Sequence, residues 1–136
     1  MPAVLVDSNV LLDVMNESPA WYAWSASALS RAATDGRVII NPIIFAEISV
    51  NFDTIEDLRD MLAGLPIDHD PLPDDAAFLA AKVHLEYRRR GGTRPSLLPD
   101  FLIGAHAAIA GYCLLTRDVA RYRTYYPRLS LITPEN

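Results

Sequence analysis

A chain of 136 residues with 51% hydrophobic and 21% charged residues has the size and composition of one globular domain with a sizeable core, which excludes a disordered chain and most two-domain enzymes. One cysteine, Cys113, excludes a disulfide framework, and no apolar run approaches a membrane span. The formal charge of −5 argues at face value against a polyanion binder, unless acids gathered around divalent cations account for most of it.

The chain opens on the apolar run Ala3 to Val6, which ends at Asp7; Ser8-Asn9 then leads into Val10, Leu11, Leu12, Val14 and Met15, a buried strand feeding a helix. Pro19 precedes a helical pattern over Ala20 to Ala33, closed by Asp35-Gly36. Arg37 to Asn41 is a short β-branched strand, and Pro42 opens a helix over Ile43 to Val50. Asp53-Thr54 caps a helix from Ile55 to Ala63 that stops at Gly64, and Leu65 to His69 forms a further strand. The long pattern from Asp74 to Arg90 is a helix terminated by Gly91-Gly92, and Gly91 to Pro99 is loop. Pro99-Asp100 starts a helix over Phe101 to Ala110 that Gly111 stops. Tyr112 to Leu115 is a strand ending in Thr116-Arg117-Asp118, and Leu129 to Ile132 is the last strand.

Strands alternating with helices predict an α/β fold, a three-layer α/β/α sandwich around a mostly parallel sheet, with residues 1–136 as a single domain. Ligands of such sheets bind beyond the carboxyl ends of strands, where the strand order reverses. Asp7 and Thr116 to Asp118 stand at ends of this kind. The start MPAVLVDSN lacks the basic segment and cleavage site of a signal peptide, so a cytoplasmic location is expected.

Four acids occupy positions where the local sequence favours neutral or apolar residues: Asp7 after AVLV, Glu47 within PIIFAEISV, Asp100 after LLP and Asp118 after CLLTR. Asp7 alone reads equally as a helix cap, and Asp100 as a first-turn acid favoured by the helix dipole. Asp118 could start a short helix at Val119 or pair with Arg117 or Arg121. Glu47 is harder to explain away, since its apolar neighbours want burial and a buried carboxylate needs a partner. Carboxylates gathered at a sheet edge repel one another until a cation neutralises them, and all-oxygen ligands favour Mg²⁺ or Mn²⁺ over zinc.

The segments VLVDSNVLLD, FAEI, LLPDFLIGAHA and LLTRD, in this order and spacing, resemble the PIN domain, and most of all the VapC toxins, over essentially the whole chain. The resemblance implies a Mg²⁺- or Mn²⁺-dependent endoribonuclease that hydrolyses structured RNA. Its acids fall on Asp7, Glu47, Asp100 and Asp118, its hydroxyl on Thr116 and its small polar residue on Asn9. Asp7, Asp100 and Asp118 would hold the metal, Asp118 being the position that varies most among such proteins. Glu47 would hold or deprotonate water, and Thr116 would orient a water or phosphate oxygen. VapC-like toxins form homodimers and are neutralised by a small antitoxin whose C-terminal segment crosses the groove, often with an arginine among the acids; Trp21, Trp24 and Leu29 are candidate anchors.

Other readings fare less well. His69, His84 and His106 lack mutual ligand spacing, and His106, six residues past Asp100, falls roughly 240° around the helix from it. Cys113 in an apolar strand reads as core. Two Arg/Tyr clusters, Arg88 to Arg90 with Arg94 near Tyr87, and Arg117, Arg121, Arg123 and Arg128 among Tyr122, Tyr125 and Tyr126, could engage RNA phosphates and unpaired bases, the second being favoured by its position after Asp118. A haloacid-dehalogenase-like phosphatase would need an aspartate where Asn9 stands, and a receiver domain a lysine near a late strand end. The alternative from another class is a catalytically silent PIN-like scaffold that binds RNA or protein; its usual mark, loss of an acid, is absent here.

Overall fold

Residues 3–94 and 97–134 are described by the structure, a computed structural model, so part of the expected loop Gly91 to Pro99 lies outside them. The elements follow in the order β1 (Val4–Val6), α1 (Ser8–Met15), α2 (Tyr22–Asp35), β2 (Val38–Ile40), α3 (Pro42–Ile48), α4 (Ile55–Ala63), β3 (Ile67–His69), α5 (Asp74–Arg89), α6 (Leu98–Ala110), β4 (Cys113–Leu115), α7 (Val119–Tyr125) and β5 (Leu131–Ile132). Five parallel strands form one sheet in the order β3-β2-β1-β4-β5, in the α/β architecture expected. All three residues of β1 and of β2 are buried. Because successive strand residues point to opposite faces, both faces of the central sheet are covered, which explains the unbroken apolar runs. The edge strand β3 differs, with Asp68 and His69 exposed.

Capping chemistry sets several helix starts. The Asn41 side chain accepts from the Ile44 N–H ahead of Pro42, and Thr54 does the same for Asp57. The α3 helix is shorter than its sequence pattern: Ser49–Asn51 tightens into a 3₁₀ turn, and Val50, expected inside, is 77% exposed. Pro99 lies within the first turn of α6 rather than before it, so the helix begins at Leu98. Gly111 ends α6 with φ +75°, the left-handed conformation that favours glycine. No helix of the described residues is long and apolar enough to cross a membrane.

From β1 the chain builds the sheet outward through β2 and β3, then returns to the opposite side for β4 and β5. The order therefore reverses between β1 and β4, which pair directly with Val6 opposite Leu115. Asp7 and Thr116 are the next residues of those two strands, and they sit side by side at the crevice.

Candidate active site

Asp7 is held from every side. Its backbone N–H donates to the Leu115 carbonyl at 2.9 Å, continuing the β1–β4 ladder one residue beyond the strands. Its Oδ1 accepts from the Ser8 N–H at 2.8 Å, and its Oδ2 from the Thr116 hydroxyl at 2.8 Å and the Tyr122 hydroxyl at 3.2 Å. Asn9 reaches both Asp7 Oδ2 and Thr116 Oγ1 at 3.4 Å, and its own amide oxygen accepts from the Arg117 N–H. Asp7 does cap α1, as its position allowed, yet a cap needs only one of these hydrogen bonds. Burial pushes its carboxyl up to about 6, aided by the charges of Asp100 and Glu47 and opposed by the Thr116 and Ser8 hydrogen bonds.

Two of the other acids arrive on helices and the third just ahead of one. Glu47, in the last turn of α3, accepts from the Ser8 hydroxyl at 2.9 Å; burial and then the Asp100 charge raise its carboxyl, against that hydrogen bond. Asp100 stands in the first turn of α6 and is likewise raised by burial and by Asp118, while Arg121 and the more distant Arg94 pull it back. Asp118 precedes α7, and its backbone N–H donates to Thr116 Oγ1 at 3.0 Å. Thr116 thus accepts from one acid's backbone and donates to another acid's side chain, which ties the ends of β1 and β4 together.

A guanidinium stands among these carboxylates. Arg121, one turn into α7, pairs closely with Asp100 and at 2.9 Å with Asp118. With that guanidinium in place, no three carboxylate, imidazole or thiolate groups among the described residues close around one point that a cation could fill. The donor chemistry nevertheless fits a hard divalent cation: the ligating atoms are all oxygens, and burial, with smaller contributions from neighbouring carboxylates, raises three of the acids, of which only Asp100 is pulled back by Arg121.

A family model of the PIN domain matches residues 4–125, a span that contains all four acids and Thr116. This chain belongs to the PIN domain family. No curated protein sequence matches it. As a PIN domain it has solved structural neighbours. VapBC2 from Rickettsia felis, bound to a DNA fragment from its promoter, superposes over 96% of this chain and 98% of that one, with a TM-score of 0.72 at 18% identity. VapBC-1 from nontypeable Haemophilus influenzae covers 96% and 97% with a TM-score of 0.71 at 15% identity. A toxin–antitoxin complex from Klebsiella pneumoniae covers 96% and 97% with a TM-score of 0.68 at 23% identity. At such identities the likeness is one of fold.

Within this PIN domain the secondary expectations divide. His106 points away from the acids, buried with its Nδ1 3.0 Å from the Asn41 amide, and burial lowers its pKa. The favoured Arg/Tyr cluster is not a base-stacking surface. Tyr122 and Tyr126 are buried, and Tyr125 packs edge-on against Phe101 and Tyr87. Arg117 is committed as well, gripping buried Asp13 through Nε at 2.6 Å and Nη2 at 2.9 Å and lying over the Trp21 ring. Of three further residues at the acids, Ser8 has no assigned part in the site from sequence alone, Arg121 pairs with Asp118 as its position allows and reaches Asp100 as well, and Tyr122, expected to face RNA, turns in to Asp7 instead. The polar run Asp7-Ser8-Asn9 marks Ser8, and the i,i+3 spacing from Asp118 marks Arg121. Tyr122 carries no local signal, because its partner lies 115 residues away.

Proposed function

We propose that this PIN domain is a Mg²⁺- or Mn²⁺-dependent endoribonuclease that hydrolyses phosphodiester bonds in structured RNA, and that it is the toxin of a toxin–antitoxin pair. The observation that carries the reading is the convergence of Asp7, Glu47, Asp100 and Asp118 at the β1–β4 crevice, where burial and then neighbouring carboxylates raise the carboxyls of Asp7, Glu47 and Asp100. Nuclease activity is general among PIN domains, and toxin–antitoxin complexes among the structural neighbours favour the same role and a small antitoxin partner.

Asp7, Asp100 and Asp118 would hold the cation, with Arg121 turned away from the two acids it now pairs with. When bound, the metal supplies positive charge to the phosphate oxygens, a more acidic water and relief of charge on the leaving 3′ oxygen. Glu47, half-buried and with its carboxyl raised, is suited to take the proton of the attacking water as the new P–O bond forms and the bond to the 3′ oxygen breaks. Ser8 holds Glu47 in place, and Thr116 and Asn9 fix the Asp7 carboxylate so that one oxygen keeps a constant direction. Homodimerisation and neutralisation by an antitoxin arginine belong to the same proposal. Arg121 demonstrates from within the chain that this pocket accepts a guanidinium.

The test is cleavage of structured RNA by purified protein, expected to stop in EDTA and to return with Mg²⁺ or Mn²⁺. Cleavage that persists in excess chelator would refute the metal dependence. Protein inactive on every RNA tried, with no small partner recovered from the native host, would favour a silent scaffold.

A further inference from the structure

The first Arg/Tyr cluster has the opposite character from the second. Arg88, Arg89 and Arg94 are exposed and form no ion pair among the described residues, whereas Arg90 is tied to Glu86 at 3.0 Å. In a chain of net charge −5, three uncommitted guanidiniums within seven residues are a local concentration of positive charge that the surrounding fold does not neutralise. Two of them, Arg88 and Arg94, line a cavity of about 280 Å³ together with His84, Tyr87, Gly92 and Thr93.

The cavity has a built floor. Gly92 lies so close over the Tyr87 ring that a Cβ there would come within 2.3 Å of it, so only glycine permits this approach. The Tyr87 hydroxyl accepts the Arg94 backbone N–H at 2.9 Å, which pins the loop that carries the Arg94 side chain. His84 stacks on Tyr87, and its buried Nδ1 has no hydrogen-bond partner among the described residues. The floor also connects to the acids. Tyr87 and His84 pack on Phe101, the residue after Asp100, and Phe101 and Tyr87 both touch Tyr125 of the helix that carries Arg121.

We propose that this cavity at the carboxyl end of α5 is a phosphate subsite for the RNA strand, taking an internal phosphodiester beside the one cleaved, with Arg88 and Arg94 as its charged groups and the Thr93 hydroxyl as a further donor. A guanidinium fork matches phosphate oxygens bidentately, and a basic site next to an acidic one holds the strand against the repulsion its backbone meets at the carboxylates. The inference rests on the ribonuclease reading for its substrate, and binding rather than cleavage is its readout.

The experiment measures anisotropy of a fluorescein-labelled single-stranded RNA with a 5′ hydroxyl, titrated with the Asp7→Asn protein in Mg²⁺ across a range of salt. Adding Arg88→Ala and Arg94→Ala together should weaken binding about tenfold or more and flatten the dependence of log K on log salt by roughly 0.7 for each phosphate that is no longer neutralised. Alanine at residue 94 keeps the backbone bond to Tyr87, so the fold should melt unchanged. Arg89→Ala, whose side chain does not line the cavity, should leave the affinity within about twofold. An unchanged affinity and slope in the double variant, an equal loss in Arg89→Ala, or no RNA binding by the parent would overturn the subsite. Intact cleavage by the otherwise wild-type protein carrying Arg88→Ala and Arg94→Ala, with RNA binding unchanged, would sink the subsite and leave the nuclease standing. Binding lost in the double variant, with wild-type protein unable to cleave, would do the reverse.

Discussion

Asp7→Asn separates a residue that serves the site from one that merely caps a helix, because the two roles predict opposite signs. The Asp7 carboxyl is 3% exposed and raised from 3.8 to about 6, so at neutral pH the folded protein holds a charge it disfavours. At about 1.36 kcal/mol per pKa unit, this costs roughly 3 kcal/mol in the metal-free state. Asparagine removes that charge. It retains one good acceptor, and the Thr116 hydroxyl can turn to receive the new amide, so about 1 kcal/mol or somewhat more of hydrogen bonding is lost. The net expectation is a gain of about 1–2 kcal/mol, or roughly 4–8 °C in Tm for a chain of this length.

The pH dependence has a definite sign. Asp7 binds its proton more tightly folded than unfolded, so its stabilising effect is fully present below the unfolded value near 3.8. It is lost as pH rises through about 6. Metal-free wild type should therefore lose stability across that window, and Asp7→Asn should lack this part of the slope, so that its advantage vanishes near about pH 4. Thermal melts in EDTA at several pH values read both quantities. A Tm for Asp7→Asn below wild type at neutral pH, with parallel pH profiles, would show Asp7 to be an ordinary cap and refute the charge-cluster argument.

Asp100→Asn should abolish RNA cleavage while leaving the melting curve intact, whereas Thr116→Ala should reduce turnover only about tenfold, as measured with one purified RNA substrate, because Ser8 and Tyr122 still hold Asp7. Arg121→Ala should raise direct Mn²⁺ binding several-fold, read by electron paramagnetic resonance, because it removes the cation that now pairs with Asp100 and Asp118; weaker binding would show that Arg121 organises the acids instead. Asn41→Ala removes the α3 cap and strands the His106 ring nitrogen, and should cost about 2–3 kcal/mol in urea denaturation; a loss under about 0.5 kcal/mol would show that the pair adds nothing. A small DNA-binding protein should co-purify from the native host and suppress cleavage in competition with Mg²⁺, which a pull-down combined with a metal titration would detect.

Much of the site is legible in the sequence because its acids interrupt strong apolar patterns. Asp7 and Thr116 follow runs that have to be buried strands, and the parallel order then places them together. Glu47 stands out for the same reason within α3. Where the pattern is short it misleads. The α7 helix has seven residues with arginine and tyrosine interleaved, too few turns for a periodicity to show which face is buried, so nothing local tells that Tyr122 and Tyr126 turn inward rather than toward RNA. Arg117 resembles an RNA-binding residue because its true partner, Asp13, lies 104 residues away, a separation that only tertiary structure closes. Val50 continues an apolar run that the backbone abandons for a 3₁₀ turn.

The pairing of β1 with β4 also fixes when the site can exist during synthesis. Asp7 is made more than a hundred residues before Thr116, Asp118, Arg121 and Tyr122. Until β4 slides in beside β1, Asp7 has neither its threonine nor its tyrosine, and the crevice has only one wall. Such closure over most of the chain's length is slow compared with helix formation. For the proposed ribonuclease this means that no finished site exists until α7 has docked beside β1 and β4.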